Sequence, residues 1–272
     1  MTVAAATPRR PSRRLRTRPL VLGTAGIGLF LLSIDLIGRL GGLSENVLPR
    51  AGTIVARLAQ LTVEIPFLTA LGETLLASAV GLAIATVLAV PIGLVLGASL
   101  PTYKALSVLI EFMRPVPTVA LIPPVLLMMG SGPEMKIFLV AYATFWIVLF
   151  NAIYGIRGVD PGLKDAARVF GTGRLRSLVV VSLPSAAPFI FTGVQIASTA
   201  AFIVAIGTEM IAGGSGGIGQ WLMTNLSAVT RRDWVFAGAF GAGLVGLALT
   251  GVLVWIGRRS FPWSVANRGA AE

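Results

Sequence analysis

Few side chains in this sequence could do chemistry, and their types exclude several kinds of site. The chain has no Cys and no His, so it lacks thiolate nucleophiles, imidazole bases and the usual zinc ligands. Charged residues make up only 12% of the sequence. Candidate functional groups are therefore isolated charges and the backbone around glycines and prolines.

Prolines cluster next to one arginine, in the segment from Arg114 to Pro124. Each proline removes a backbone donor, so the cluster predicts a broken helix. The prolines are Pro115, Pro117, Pro123 and Pro124. Irregular backbone within a membrane is tolerated where it lines a cavity or is buried in protein. The segment could therefore shape a solute path or form a hinge, or it could be a packed kink.

Glu209 ends a long apolar run and precedes the glycine-rich stretch 213–219. Acids within membrane spans are candidates for function by default. Glu209 could face a translocation path or control a gate. Alternatively, it could sit in water at the surface or bond to the backbone amides of 213–217.

The segment 157–184, called here the 157–184 loop, combines a helix start, small residues and a helix stop. Asp160-Pro161 is typical of a helix start and Gly171 of a stop. Asp165, Ala166 and Ala167 between them would let a short helix approach another surface closely. The pattern predicts a short helix that docks into a partner.

The elements that must position these residues are membrane-spanning helices. Hydrophobic residues make up 55% of the 272 residues and the mean hydropathy is +0.86, too apolar for a soluble domain of this length. About 20 helical residues cross the hydrocarbon core. Six spans are predicted at 19–38, within 74–103, at about 105–130 with an interruption, at 137–156, within 177–208 and at 234–257. A further helix at 47–61 is too short and charged to span, and is expected on the outer surface.

Basic residues predict the orientation of the chain. They concentrate in the arginine-rich tail 1–18, the 157–184 loop and the end after 257. The excess of Lys and Arg on one side favours a cytoplasmic location for that side. Both termini are then expected in the cytoplasm of a multi-pass protein of the cell (inner or plasma) membrane. Because these residues flank apolar runs, we expect lipid rather than nucleic acid around the chain.

The 157–184 loop resembles the EAA motif of permeases from binding-protein-dependent ABC importers, approximately E-A-A-x3-G-x9-I-x-L-P. Asp165 stands for the Glu and Val181 for the Ile, whereas the spacing agrees throughout. The resemblance assigns contacts with the ATPase subunit to this loop. The residues concerned are Lys164, Asp165, Ala166, Ala167, Arg168, Gly171, Leu183 and Pro184.

The resemblance covers about residues 45–268 and is nearest to the nitrate/sulfonate/taurine-type branch. The stretches MRPVPTVALIPPVLLMMG and GGSGGIGQWL are similar to segments of that branch. It implies an all-α polytopic protein with the type I ABC importer permease fold, in which 19–268 is a single transmembrane domain and 269–272 a tail. It further implies a homodimeric core, two ABC ATPase subunits and an extracytoplasmic solute-binding protein.

The expected function is ATP-driven import of a small polar solute, of the sulfonate, taurine, nitrate or pyrimidine type. No Gly-Lys pair occurs, so the usual G-x-x-x-x-G-K phosphate loop is absent. We therefore expect no enzymatic activity and no cofactor in this chain, with ATP and Mg²⁺ bound by the partner ATPase. Arg114, Pro115, Pro117 and Glu209 are the candidates for the translocation path or gate. A secondary transporter driven by an ion gradient and a membrane-embedded enzyme remain the alternatives.

Overall fold

The computed structural model describes residues 18–41, 47–228 and 231–263, and in these ranges the regular secondary structure is helical. The helices are α1 (Arg18–Leu40), α2 (Ala51–Leu61), α3 (Ile65–Ala98), α4 (Leu100–Met113), α5 (Thr118–Met129), α6 (Pro133–Arg157), α7 (Pro161–Val169), α8 (Arg174–Ser177), α9 (Leu183–Ala212), α10 (Ile218–Ser227) and α11 (Arg232–Ser260). A π-helical turn, Leu178–Ser182, joins α8 to α9. Of the predicted tails at 1–18 and 269–272, residues 1–17 and 269–272 lie outside the described residues.

Five helical stretches are long and apolar enough to cross a membrane, and a sixth span results if α4 and α5 are counted together. Besides α1, these are α3 with 34 residues, α6 with 25, α11 with 29 and the continuous stretch from Arg174 to Ala212 with 39. A helix of about 20 residues already spans the hydrocarbon core. The predicted count of about six spans in an all-α protein is therefore confirmed.

The core lies where α3, α6 and α9 pack on one another. Small residues permit the close approach of α3 to α6, as at Gly93, where an added Cβ would overlap Ala152. Ala89, Val148, Leu149 and Ala197 form part of one buried cluster between the three helices. By contrast, none of the described residues in the Val21–Gly38 window of α1 is buried. α6 is thus the central element, with α3 and α9 against it.

The predicted interruption of the third span is confirmed, although only half of the prolines cause it. α4 and α5 are separated by residues 114–117 and bend by 83° relative to one another. Pro115 and Pro117 lie in this break, whereas Pro123 and Pro124 lie inside α5 and do not interrupt it. The expectation that all four prolines break the helix was wrong.

Two predicted boundaries also differ from the structure. The second span begins at Ile65, nine residues before the predicted window, and ends at Ala98. The window was drawn to exclude Glu73, but one exposed carboxylate does not end a helix. The fifth span runs on to Ala212 because Glu209 is buried against protein rather than left at the helix end.

Candidate functional site

The short helix α7 has the start and stop that its sequence predicts. The Asp160 carboxylate accepts a hydrogen bond from the Gly162 amide at 2.8 Å, and Pro161 is the first helical residue. At the other end, the amides of Gly171 and Thr172 donate to the carbonyls of Arg168 and Ala167, each at 2.9 Å. This is a Schellman motif, and its left-handed position is Gly171, with φ +75°.

α7 is attached to the end of α6 by its inner face. Ala167 is buried, and the Lys164 ammonium donates to the Ile156 carbonyl at 3.2 Å. The preceding Arg157 lies over the Tyr103 ring at 3.8 Å from its centroid. Among the predicted coupling residues, Lys164 and Ala167 therefore face the helix bundle and hold α7 in place.

The outer face of α7 and the turn that follows it are exposed and partly apolar. Asp165 and Arg168 form an ion pair at 2.8 Å with both side chains exposed, and Ala166 is exposed beside them. Val169, Phe170 and Leu175 are each more than 80% exposed. We call these three residues the apolar tip. Exposed apolar side chains that are grouped in one segment are candidates for an interaction site.

The apolar tip was missed by the sequence analysis, which followed the small residues of the motif. A signal did exist, because Val169 and Phe170 directly precede the glycine stop within an otherwise charged segment. Leu183 and Pro184, also predicted, lie in the first turn of α9. Leu183 is half-buried against the cluster that contains Ile156 and Val159, whereas Pro184 is exposed.

Glu209 lies at the opposite end of the bundle, fully buried in a polar cluster. Lys136 Nζ donates to its Oε1 at 2.7 Å, and Thr74 Oγ1 lies 2.9 and 3.0 Å from its two oxygens. The Gly219 amide donates to Oε2 at 2.8 Å. The Lys136 and Glu209 side chains are 1% and 0% exposed. Lys136, Glu209 and Thr74 are called here the buried cluster.

The buried cluster joins four parts of the chain that are distant in sequence. Thr74 belongs to α3, Lys136 to α6 and Glu209 to α9, and the Ile218 amide at the start of α10 donates to Thr74 Oγ1 at 2.9 Å. Of the alternatives for Glu209, bonding to backbone amides is closest to the structure, although the amide belongs to Gly219 and not to 213–217. Lys136 was not among the predicted site residues, because in the sequence it is only a charge directly before an apolar run.

Arg114, Pro115 and Pro117 lie at the break between α4 and α5, next to the middle of α6. The Arg114 guanidinium is 4.6 Å from the centroid of the Phe150 ring. The Tyr142 hydroxyl donates to the Met113 carbonyl at 3.1 Å, which fixes the break against α6. A cavity of about 320 Å³ opens here, lined in part by Arg114, Thr118, Tyr142, Trp146 and Asn151. We call it the Arg114 cavity.

The structure does not bring the four path candidates together. Lys136, which holds Glu209, and Phe150, which lies under Arg114, are 14 residues apart on α6, or about 21 Å along the helix. The third region, α7, is attached at the far end of the same helix. α6 therefore connects three separate regions: the buried cluster, the Arg114 cavity and the 157–184 loop.

Comparisons with known proteins agree with this architecture. Residues 89–263 match the family described as "Binding-protein-dependent transport system inner membrane component". A protein of Methanocaldococcus jannaschii, described as an ABC transporter permease, is 31% identical over 67% of this chain and 68% of its own length. A Bacillus subtilis protein, described as the aliphatic sulfonates transport permease SsuC, is 29% identical over 86% of this chain and 84% of its own.

The fold is also similar to that of a solved transporter. A chain of the MetNI methionine ABC transporter, in an inward-facing conformation, superposes with a TM-score of 0.63 at 17% identity. The alignment covers 71% of this chain and 94% of that chain. The expected type I ABC importer permease fold is confirmed by this similarity.

Proposed function

Because this chain belongs to the family of binding-protein-dependent transport system inner membrane components, we propose that it is the permease subunit of an ATP-driven importer and carries a small polar solute inward. ATP and Mg²⁺ bind to separate ABC ATPase subunits. An extracytoplasmic solute-binding protein delivers the solute. Sulfonates, taurine, nitrate and pyrimidine-type nutrients fit this proposal, and the relative in Bacillus subtilis is named for aliphatic sulfonates.

The observation that carries the proposal is the apolar tip of the 157–184 loop. Val169, Phe170 and Leu175 are exposed, and the charged residues near them in sequence, Asp165, Arg168, Arg174 and Arg176, are exposed as well. A partner surface that covers the apolar tip would bury its apolar area and leave the charges at the rim, as in typical interfaces. The sequence has no Gly-Lys pair and hence no G-x-x-x-x-G-K loop, so that partner would supply the ATP hydrolysis.

The attachment of α7 to α6 provides a route for mechanical coupling. A movement of α7 would act on α6 through Ala167 and through the bond from Lys164 to Ile156. α6 packs closely on α3 and α9, so the three helices would move as a rigid body rather than deform. Such a movement would switch the path between outward-facing and inward-facing states.

The break between α4 and α5 is our candidate for the solute path, with Arg114, Pro115 and Pro117 at its wall. Glu209 has a different role in this proposal. The buried cluster holds the 213–219 loop and α10 against α3 and α6 on the outer side, and so stabilises that end of the path. Two copies of the chain form the translocating core, and both termini lie in the cytoplasm, in keeping with the distribution of basic residues.

A reconstitution experiment tests the coupling role. The chain is purified with a candidate ABC ATPase and placed in proteoliposomes with a candidate solute-binding protein. We expect Phe170→Asp to abolish copurification of the ATPase and solute uptake, because a buried carboxylate without a partner opposes docking. Val63→Asp is the matched control, since Val63 is 77% exposed in the turn before α3, far from the loop.

Three outcomes would count against the proposal. Undiminished uptake and ATPase binding in Phe170→Asp would remove the apolar tip from the interface. Solute uptake by the purified chain without any ATPase would support the secondary transporter instead. Labelling that places the 157–184 loop outside the cell would reverse the proposed orientation.

A further inference from the structure

Arg114 lies within the length of the membrane-spanning bundle. α6 has 25 residues and is therefore about 37 Å long. The α6 residues that contact Arg114 and its neighbour Met113 are Phe150 and Tyr142. Phe150, under the guanidinium, lies about 26 Å from the first residue of α6 and about 10 Å from the last, so the guanidinium lies within the length of the span.

Among the described residues, no opposite charge lies beside Arg114. Within the part of the chain that the structure describes, no carboxylate forms an ion pair with Arg114, and Glu111 on the preceding turn does not reach it. Arg114 is nevertheless exposed at the surface of the single chain. A charged side chain that faces lipid within a membrane span is costly, so this surface must face water or protein.

The walls of the Arg114 cavity offer several hydrogen-bond donors. The guanidinium carries five N–H donors in a planar fork. Asn151 lines the same cavity, and its amide nitrogen already donates to the Ile147 carbonyl. Thr118 adds a hydroxyl and is the first residue of α5, so the positive end of that helix also lies here. The Tyr142 hydroxyl already donates to the Met113 carbonyl.

Donors of this kind match the oxygens of a small anion. An arginine fork binds carboxylate, sulfonate or nitrate oxygens in a bidentate manner. A volume of about 320 Å³ is at the lower limit of ligand pockets and suits a solute of a few heavy atoms. Phe150, under the guanidinium, keeps the fork in place.

We propose that the Arg114 cavity is a binding station for a small oxyanion inside the membrane domain, with Arg114 as the residue that selects for negative charge. The inference rests on the proposed transport function, because it assigns the solute class at the path already described. Under this proposal the chain itself selects the solute, in addition to any selection by the external solute-binding protein.

Charge-selective labelling tests the site without requiring transport. The chain has no Cys, so Thr118→Cys introduces a single thiol at the cavity wall. The full chain in lipid nanodiscs is treated with an anionic methanethiosulfonate that carries a sulfonate and with a cationic one that carries a trimethylammonium group. The measurement is the ratio of the two labelling rates. Thr199→Cys is the control, because Thr199 lines an apolar groove between α9 and α11.

We expect the anionic-to-cationic ratio to be about tenfold higher at position 118 than at position 199. Adding Arg114→Gln should lower the ratio at 118 about tenfold, while Arg114→Lys should retain it. Sodium nitrate and sodium methanesulfonate should slow labelling at 118, and sodium chloride at equal ionic strength should not. Nitrate protection that remains in Arg114→Gln would overturn the role of Arg114.

Each of the remaining outcomes either supports or overturns the proposed anion site. Absence of labelling at 118 by both reagents would show that water-soluble ions do not reach the cavity, and equal protection by chloride would reduce the site to a general positive potential. Either result overturns the proposal. If the oxyanions protect position 118 while no ATPase binds the chain, the site stands and the importer function fails. If the ATPase binds and drives uptake without such protection, the site fails alone.

Discussion

Two ion pairs with nearly equal N–O distances lie near the two ends of α6, one buried and the other exposed. Lys136 and Glu209 are 2.7 Å apart with side chains 1% and 0% exposed, whereas Asp165 and Arg168 are 2.8 Å apart and 69% and 65% of the Arg168 and Asp165 side chains are exposed. Distance alone would rank the pairs as equals. Their burial makes them different in energy and in role.

The buried pair connects two helices, whereas both residues of the exposed pair belong to the same helix. Glu209 has partners from α3, α6 and the start of α10, so the loss of one partner leaves a charge without compensation in a place closed to water. Asp165 and Arg168 are three residues apart on one helix, and water replaces either partner. We therefore expect stability to reside in the buried cluster and partner contact in the 157–184 loop.

The largest effect is expected from Lys136→Met, which removes the positive charge beside Glu209 while keeping an unbranched side chain. Breaking a buried ion pair on one side costs about 3–5 kcal/mol of unfolding free energy. The measurement is thermal unfolding of the chain in detergent. The double variant Lys136→Met with Glu209→Leu should regain much of the loss, because no charge then remains buried. A double variant as unstable as the single one would contradict this account.

Thr74→Val should have the next largest effect. The substitution keeps the shape of the side chain but removes the hydroxyl that bonds to Glu209 and accepts from the Ile218 amide. A buried group left without its partner costs about 1–3 kcal/mol. Thr69→Val is a suitable control, because the Thr69 hydroxyl is exposed and bonds only within its own helix. Equal unfolding temperatures for the two variants would argue against a role for the buried cluster.

Gly171→Ala should act locally, at the other end of α6. Gly171 has φ +75°, and an alanine in this conformation costs about 1 kcal/mol. No atom lies within 4 Å of the position that a Cβ would take, so strain and not a clash is expected. Hydrogen exchange should accelerate in α7 while protection in α3 and α6 is unchanged. A loss of protection throughout the bundle would show that α7 is not peripheral.

Asp165→Asn should have the smallest effect on stability. An exposed ion pair three residues apart contributes about 0.2–0.5 kcal/mol, and salt reduces it further. Unfolding curves of the variant and the parent at low and high salt should nearly coincide. A destabilisation comparable to that of Lys136→Met would mean that the exposed pair is covered in the assembled protein, and would sharpen the search for the partner that covers it.

Much of the architecture could be predicted because it depends on neighbours in sequence. The apolar runs predicted five spans. Pro115 and Pro117 predicted the break in the remaining span, and Gly171 predicted the end of α7. Errors occurred where a residue's effect depends on what it touches: Glu73 and Glu209 were treated as span boundaries, yet one lies on the exposed side of α3 and the other is buried against Lys136. Pro123 and Pro124 show the same limit, since they lie inside an unbroken α5.

The sequence by itself predicted that the chain spans a membrane, the approximate positions of its spans, and a loop that resembles a motif for contact with a partner. Hydropathy, helix propensity and capping act over a few residues, so they can be read in order along the chain. Only the tertiary structure decided that Lys136 meets Glu209, 73 residues away, and that Arg114 lies over Phe150 beside Trp146. Whether a charge is paired, buried or free depends on which helices pack against one another. Residues that are far apart in sequence decide that packing, so a local sequence pattern does not predict it.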